Sequence, residues 1–344
     1  MTASGHDAAP QPHAAPQPHA GQRGAPRRDE AVSGERTAGS RSAQLGQYPP
    51  VTSLIVHLSD THFLADSAAL YGSVPTDGSV TQAMAQLERS GLRPAAIVLT
   101  GDIADRGEAD AYRRVREIIE ATAKRLGSTV VWVMGNHDDR TTFRSTLLRE
   151  PTTMDAPPAT RPVDQVFDID GLRIIALDTS VPGYHHGELT TAQLAWLADI
   201  LSSAAERGTL LALHHPPIPT LLPLMNILEL REHKRLADVI SGSDIRAILG
   251  GHLHYATTGL FAGIPVSVAA ATCYTMDLSA PARELTGVAG GTSFNLVQVY
   301  DDDIVHSVVP IGSFDVATRF PESFLDRMEA LSADERLDAF SRQV

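Results

Sequence analysis

The chain has 344 residues, enough for one large domain or two ordinary ones, and its 43% hydrophobic content suits a sizeable core. A formal charge of −13 argues against general affinity for nucleic acid polymers or anionic membranes, both of which call for a basic surface. The single cysteine, Cys273, excludes an intrachain disulfide and a thiolate metal site.

In chain order, residues 1–48 come first, with the duplicated hexamer AAPQPH and a Gly/Ser/Arg-rich stretch. Few large apolar residues are present to offset the entropy of ordering, so a disordered tail is predicted, with His13 and His19 incidental to it. Arg27 and Arg28 are followed by DEAVSGERTAG rather than by the apolar segment of an export signal. No run approaches the roughly 18 apolar residues of a spanning helix. The expectation is a cytoplasmic protein with no integral membrane segment.

From residue 51 the texture changes. Short β-branched runs at 53–59, 95–100, 129–134, 172–178 and 209–214 predict buried strands. Between them, 79–90, 108–126 and 190–205 have helical spacing, and Thr190 with Gln193 forms a capping-box pattern. Alternating strand and helix implies a largely parallel sheet. Beyond residue 245, IRAILG, IPVSVAAAT, FNLVQVY and IVHSVVP predict antiparallel strands completing a second sheet. The long glycine-rich loop 277–293 borders either a ligand cleft or a homodimer contact. Residues 313–344 read as a short charged helix or a tail, leaving 49–312 as one α/β domain with two sheets and outer helices.

The strand ends carry the chemistry. In open α/β sheets ligands gather at the carboxyl ends of strands. Here those ends read LSDTH (Asp60, His62), TGDIAD (Asp102, Asp105), GNHDD (Asn136 to Asp139), LHHPP (His214, His215) and GGHLHY (His252, His254). Each alone has an ordinary explanation: a helix cap, a turn, a rigid loop edge. Five together, most of them flanked by glycine or proline, argue for one assembled site. Aspartate, imidazole and one amide make an oxygen and nitrogen donor set without sulfur, suited to Fe, Mn, Zn or Co rather than to Ca or Mg alone. The set exceeds what a four-coordinate zinc needs and is right for two ions sharing a carboxylate.

The ordered series D-x-H (60–62), G-D (101–102), G-N-H-D (135–138), H-H-P-P (214–217) and G-H-x-H (251–254) resembles the calcineurin-like metallophosphoesterase superfamily. SDTHFL with LYG, SGLRPAAIVLTGDIADRGE, LDTSVPGYHHGE and LALHHPPIP are most similar to its actinobacterial class III cyclic-nucleotide phosphodiesterases. The resemblance spans residues 53 to 310 and implies two packed mixed β-sheets flanked by helices. It implies that Asp60, His62 and His254 hold one metal, that Asn136, His214 and His252 hold the other, and that Asp102 bridges both. His215 is the weaker member of its pair.

The implied reaction is hydrolysis of a 3′,5′-cyclic nucleotide, cyclic AMP foremost, to the 5′-monophosphate by a metal-bridging hydroxide, with Fe or Mn as the leading cofactors and Zn or Co as alternatives. The metals would supply the positive charge that a protein of charge −13 otherwise lacks. His137 is expected to bind the phosphoryl group and protonate the leaving oxygen, with Asp138 orienting its imidazole. Asp105 and His185 are candidates for substrate contact or for support of the ligands; Asp105 alternatively caps the helix beginning near Gly107 or Glu108. Asp139 is expected to face solvent or cap the next helix, His57 to be a satisfied core histidine, and Tyr255 and Cys273 to pack. Other phosphoesterase activities share these motifs: 2′,3′-cyclic phosphodiesterase, phosphomonoesterase and nucleotide pyrophosphatase. A non-catalytic binding module on the same fold should have lost ligands, whereas all seven positions are filled, and no basic amphipathic segment in the tails marks an envelope association.

Overall fold

The computed structural model describes residues 45–151 and 160–343, so the predicted N-terminal tail lies outside the described residues up to residue 44. A five-stranded sheet contains β1 (Ser53–Leu58), β2 (Ala96–Thr100), β3 (Thr129–Val133), β14 (Ser293–Val299) and β15 (Ile304–Pro310), in the order β15-β14-β1-β2-β3. A six-stranded sheet contains β4 (Gln165–Ile169), β5 (Leu172–Leu177), β8 (Thr209–Leu213), β9 (Ile245–Gly250), β10 (Thr257–Phe261) and β11 (Ile264–Val268), in the order β10-β11-β9-β8-β5-β4. Two small hairpins project from this frame: β6 (Ser180–Val181) with β7 (Tyr184–Gly187), and β12 (Thr275–Met276) with β13 (Gly287–Val288).

Period-2 alternation explains how both sheets are buried on two faces. In the first sheet Ile55, Val98, Val131 and Val133 point inward, and Val56, Leu58, Ile97 and Leu99 point outward. In the second, Leu172, Ile174, Leu210 and Leu249 meet the inward set, while Ile175, Leu177, Leu211 and Ile248 face the other way. Alanines at 96, 176, 212 and 247 keep the inter-sheet layer thin, so the two sheets pack face to face.

Helices close the outer faces. Over the first sheet lie α1 (Thr76–Arg89), α2 (Ala109–Leu126) and α3 (Arg140–Thr146). Their apolar residues fall at helical spacing, as with Val80, Ala83, Met84 and Leu87, or Tyr112, Val115 and Ile119. Over the second sheet lie α4 (Thr191–Leu201) and α5 (His233–Ile240), with Leu194, Leu197, Leu236 and Ile240 buried. The predicted capping box starts α4: the Thr190 hydroxyl accepts from Gln193 N at 3.2 Å and the Gln193 amide oxygen accepts from Thr190 N at 3.1 Å. The C-terminal segment forms α6 (Glu322–Glu329) and α7 (Ala333–Arg336), where the Phe320, Phe324 and Phe340 rings cluster within 5.7 Å of one another.

This is the expected pair of mixed sheets between helices, with corrections in the C-terminal third. β9 and β11 run parallel to their neighbours β8 and β9; of the four expected strands β14 and β15 pair antiparallel throughout, and β10, which was not predicted, pairs antiparallel with β11. β14 and β15 do not complete the second sheet. They return to the first, where β14 pairs with β1. Apolar patterning marks a strand as buried on two faces without stating which sheet buries it. Among the described residues, no helix is long and apolar enough to cross a membrane.

Candidate active site

The carboxyl ends of β1, β2, β3, β8 and β9 come together at one end of the sandwich and bring all seven expected ligands into a single cluster. Asp60, Asp102 and His214 offer ligand atoms within 4.8 Å of one another, as do His62 with His254 and Cys273, and His214 with His215 and His252. Five of the seven ligands sit in the left-handed backbone region: Asp60 (φ 53°), His62 (44°), Asp102 (50°), His252 (68°) and His254 (57°). Each such non-glycine position costs about 1–3 kcal/mol, and strain of this kind concentrates where side chains must be aimed. Two glycines let the strand ends converge. A Cβ on Gly135 would land on the backbone and carboxylate of Asp102, and one on Gly251 would strike the Ser59 hydroxyl and the Asp60 carboxylate.

Hydrogen bonds on the outer side of each imidazole fix its inner side. His214 Nδ1 donates to the Thr100 carbonyl at 2.6 Å, His254 Nδ1 to the Tyr274 carbonyl at 3.2 Å, and His252 Nε2 to the Leu228 carbonyl at 3.0 Å. His62 Nδ1 donates to the Asp105 carboxylate at 3.0 Å. A carbonyl or carboxylate can only accept, so each outer nitrogen carries the proton and each inner nitrogen of the neutral ring carries a lone pair. Those lone pairs meet acceptors. His62 Nε2 is 3.2 Å from His254 Nε2, His214 Nε2 is 3.1 Å from Asn136 Oδ1, and His254 Nε2 is 3.4 Å from Asp60 Oδ1. Acceptors facing acceptors at this range repel one another unless a proton or a metal cation lies among them. Asp102 Oδ2 stands between the two halves, 3.6 Å from His62 Nε2 and 3.3 Å from His214 Nε2. The residues present therefore fit a two-cation centre with Asp102 shared, and the outer hydrogen bonds are the orienting shell such a centre uses.

The electrostatics agree. Burial works against a charged His214, yet the surrounding Asp102 and Asp60 carboxylates raise it to about 9. Burial likewise opposes ionised Asp102, but His214 and His137 hold it well below the usual carboxylate range. Buried carboxylates that draw protons onto neighbouring imidazoles are groups that a metal cation would satisfy. Backbone donors fix both carboxylates: His252 N donates to Asp60 at 3.0 Å and His137 N to Asp102 Oδ1 at 2.8 Å.

Around this cluster the structure revises the expected roles. His137 lies at the rim, half-buried, with its ring 4.8 Å from that of His62. Its expected partner Asp138 faces elsewhere. That carboxylate accepts from Ile103 N at 3.2 Å, Ala104 N at 3.0 Å, Gly135 N at 2.9 Å and the Tyr112 hydroxyl at 2.9 Å. Asp138 thus ties the third strand end to the second, and desolvation followed by the Asp102 charge raises its pKa to about 7. The residue beside His137 is Asp105, whose carbonyl accepts from His137 Nδ1 at 2.9 Å and whose carboxylate lies 3.6 Å from it. That carboxylate is engaged by His62, and Asp105 does not cap α2, whose N-cap is Glu108. His185, exposed on β7, accepts from Asn136 Nδ2 through its Nδ1 at 2.9 Å, and its ring is 4.9 Å from His137. Asp139 caps α3 by accepting from Thr142 N at 2.8 Å, as expected.

Several contributors carry no motif signal. The carbonyls of Thr100, Leu228 and Tyr274 orient ligands whatever their side chains are, so no sequence pattern marks them. His215 is buried, with Nδ1 2.8 Å from the Thr179 hydroxyl and Nε2 donating to the His185 carbonyl at 3.2 Å; it holds the β6–β7 hairpin against the site. Arg140 and Asp178 form a buried ion pair at 2.8 Å joining α3 to the end of β5. Tyr255 packs as expected, and Cys273 is buried with its Sγ 4.0 Å from His254 Nδ1. His57 is only half satisfied: Nε2 is 2.9 Å from the Thr100 hydroxyl and Nδ1 has no partner.

Comparisons place this geometry. Over 274 residues the chain is 51% identical to a cAMP/cGMP dual specificity phosphodiesterase of Mycobacterium tuberculosis, covering 80% of this chain and 84% of that protein. It is 31% identical over 202 residues to a 3′,5′-cyclic adenosine monophosphate phosphodiesterase of Pseudomonas aeruginosa, covering 58% and 69% of the two chains. A dimetal phosphatase structure from Danio rerio superimposes with a TM-score of 0.55 at 14% identity, covering 76% of this chain and 98% of that one, a likeness of fold. Residues 53–256, which contain every ligand position described above, match the calcineurin-like phosphoesterase family, and the chain belongs to it.

Proposed function

We propose that the protein hydrolyses 3′,5′-cyclic nucleotides, cyclic AMP foremost, to 5′-nucleoside monophosphates. The observation that carries the hydrolytic centre is the inward-facing set of imidazole nitrogens and carboxylates, a donor set that two cations would satisfy. The substrate class is supported by the likeness to the mycobacterial relative. Asp60, His62 and His254 would hold one ion and Asn136, His214 and His252 the other, with Asp102 common to both. This mixed oxygen and nitrogen set favours Fe or Mn, with Zn or Co as alternatives. Two such ions supply a nucleophile at neutral pH and neutralise charge on the phosphoryl oxygens.

The remaining steps belong to the chain itself. His137 Nδ1–H donates a hydrogen bond to the Asp105 carbonyl, which turns Nε2 toward the phosphoryl group; protonated there, the ring hands its Nε2 proton to the leaving 3′-oxygen. The Asp105 carboxylate holds His62 at 3.0 Å, so residue 105 ties the two imidazoles together, one through its side chain and the other through its carbonyl. His185 fixes the amide of Asn136 so that its oxygen faces His214, and its exposed ring stands beside His137 to contact the phosphate. Residues 49–312 are the catalytic unit in this reading, with 313–344 appended to it, and a single cysteine fits a reducing, cytoplasmic setting.

The test is a panel on metal-analysed protein comparing 3′,5′-cyclic AMP, 3′,5′-cyclic GMP, 2′,3′-cyclic nucleotides and simple monoesters by kcat/KM. A clear preference for a monoester would sink the proposal. His137→Ala should lower kcat by about 10²–10⁴-fold with metal content unchanged. Turnover surviving within a few-fold removes the acid role.

A further inference from the structure

Next to the ligand cluster, on the side of His254, lies a cleft of about 410 Å³. That volume falls in the range of small-molecule sites, roughly 300–1,000 Å³. The Tyr274 ring forms its near wall, 4.5 Å from the His254 ring at an interplanar angle of 49°, so the cleft begins where the metal ligands end. Tyr71 lies against it edge-to-face, its ring 5.6 Å from that of Tyr274 and the two hydroxyls 3.3 Å apart, so the two rings form one aromatic wall. The β12–β13 hairpin supplies Met276, Gly287 and Val288. Gly287 is required there, because a Cβ would come within 2.8 Å of the Tyr274 ring.

Two features mark the cleft as more than a surface dent. Tyr71 has φ 53° and is followed by Gly72 at φ 75°, so a bulky aromatic residue is held in the left-handed region. Its side chain is not repaid by burial, since the residue is 75% exposed. The turn closed by Leu70 and Val74 holds the ring edge-on to Tyr274, and its exposure leaves an aromatic face open to a ligand next to the residue that packs on His254. The lining also contains no charged side chain. Such a wall suits a neutral flat heterocycle and not a second phosphate or an ammonium group.

We propose that Tyr71 and Tyr274 form the subsite for the nucleobase, with the 277–293 loop as its outer wall. This rests on the cyclic-nucleotide reading above. Every base has a π face, so stacking on aromatic rings recognises a base without selecting strongly among bases. The loop that the sequence left between a cleft and a dimer contact is thereby assigned to the cleft.

The test is steady-state kinetics on the full chain with two substrates: 3′,5′-cyclic AMP and the ribose 3′,5′-cyclic phosphate that lacks a base. Tyr71→Ala, at an exposed position, should raise KM for cyclic AMP by about 5- to 150-fold, the loss of one stacked base. KM for the base-free substrate and kcat for both should stay unchanged, and Tyr71→Phe should restore the wild-type KM. An unchanged KM for cyclic AMP, or an equal rise on both substrates, overturns the subsite. Wild-type turnover of the base-free diester without turnover of cyclic AMP overturns the cyclic-nucleotide reading itself, and the subsite with it.

Discussion

The two sheets bring different chemistry to the same end of the sandwich. Strand ends of the first sheet deliver the oxygen donors Asp60, Asp102 and Asn136 with one imidazole, His62. The second sheet delivers imidazoles alone: His214, His252 and His254. By itself the first end is a concentration of negative charge and the second a set of neutral bases. A centre able to hold cations forms only when the inter-sheet layer closes and brings them within 4.8 Å. Metal binding there would be linked to folding, because the unfolded chain has no such site.

The largest effect is expected at Asp102, which faces His62 at 3.6 Å and His214 at 3.3 Å and so belongs to both halves. Asp102→Ala should lower kcat/KM by about 10³-fold or more and reduce bound metal as measured by elemental analysis. Retention of full metal content and near-normal turnover would mean that the halves do not share a ligand. Next comes the tie across the sheets. Asp178→Ala leaves Arg140 buried without its carboxylate and should destabilise the fold by about 3–5 kcal/mol in denaturant unfolding. A loss under about 1 kcal/mol, the worth of a surface ion pair, would show that the pair does not join α3 to the second sheet. Smallest is Asp105→Ala, which removes the carboxylate behind His62 but keeps the carbonyl that accepts from His137. It should cost about 10–100-fold in metal affinity by chelator titration. If kcat falls at saturating metal while affinity holds, the carboxylate acts through His137 instead.

Legibility in the sequence followed locality. Strands β1, β2, β3, β5 and β8 were visible because a run buried on two faces is apolar throughout, and the start of α4 because a capping box is local chemistry. The cluster of candidate donors was visible because each follows closely on the end of its strand. Asp138 was misread for the same reason. Adjacency to His137 suggested a pair, but the left-handed turn at Asp102 and the close approach at Gly135 direct the Asp138 carboxylate to the backbone of residues 103 and 104. Its place beside His137 is taken by Asp105, 32 positions away in the chain.

The sequence by itself determined which residues could bind metal, since donor chemistry at strand ends is a property of residue type and order. Tertiary structure alone decided how those residues are aimed and what supports them. The protons on four imidazoles are set by carbonyls and a carboxylate from distant segments, and the pairing of Tyr71 with Tyr274 joins positions 203 residues apart. Backbone carbonyls are the same in every residue, so only the fold can say which of them faces a ligand.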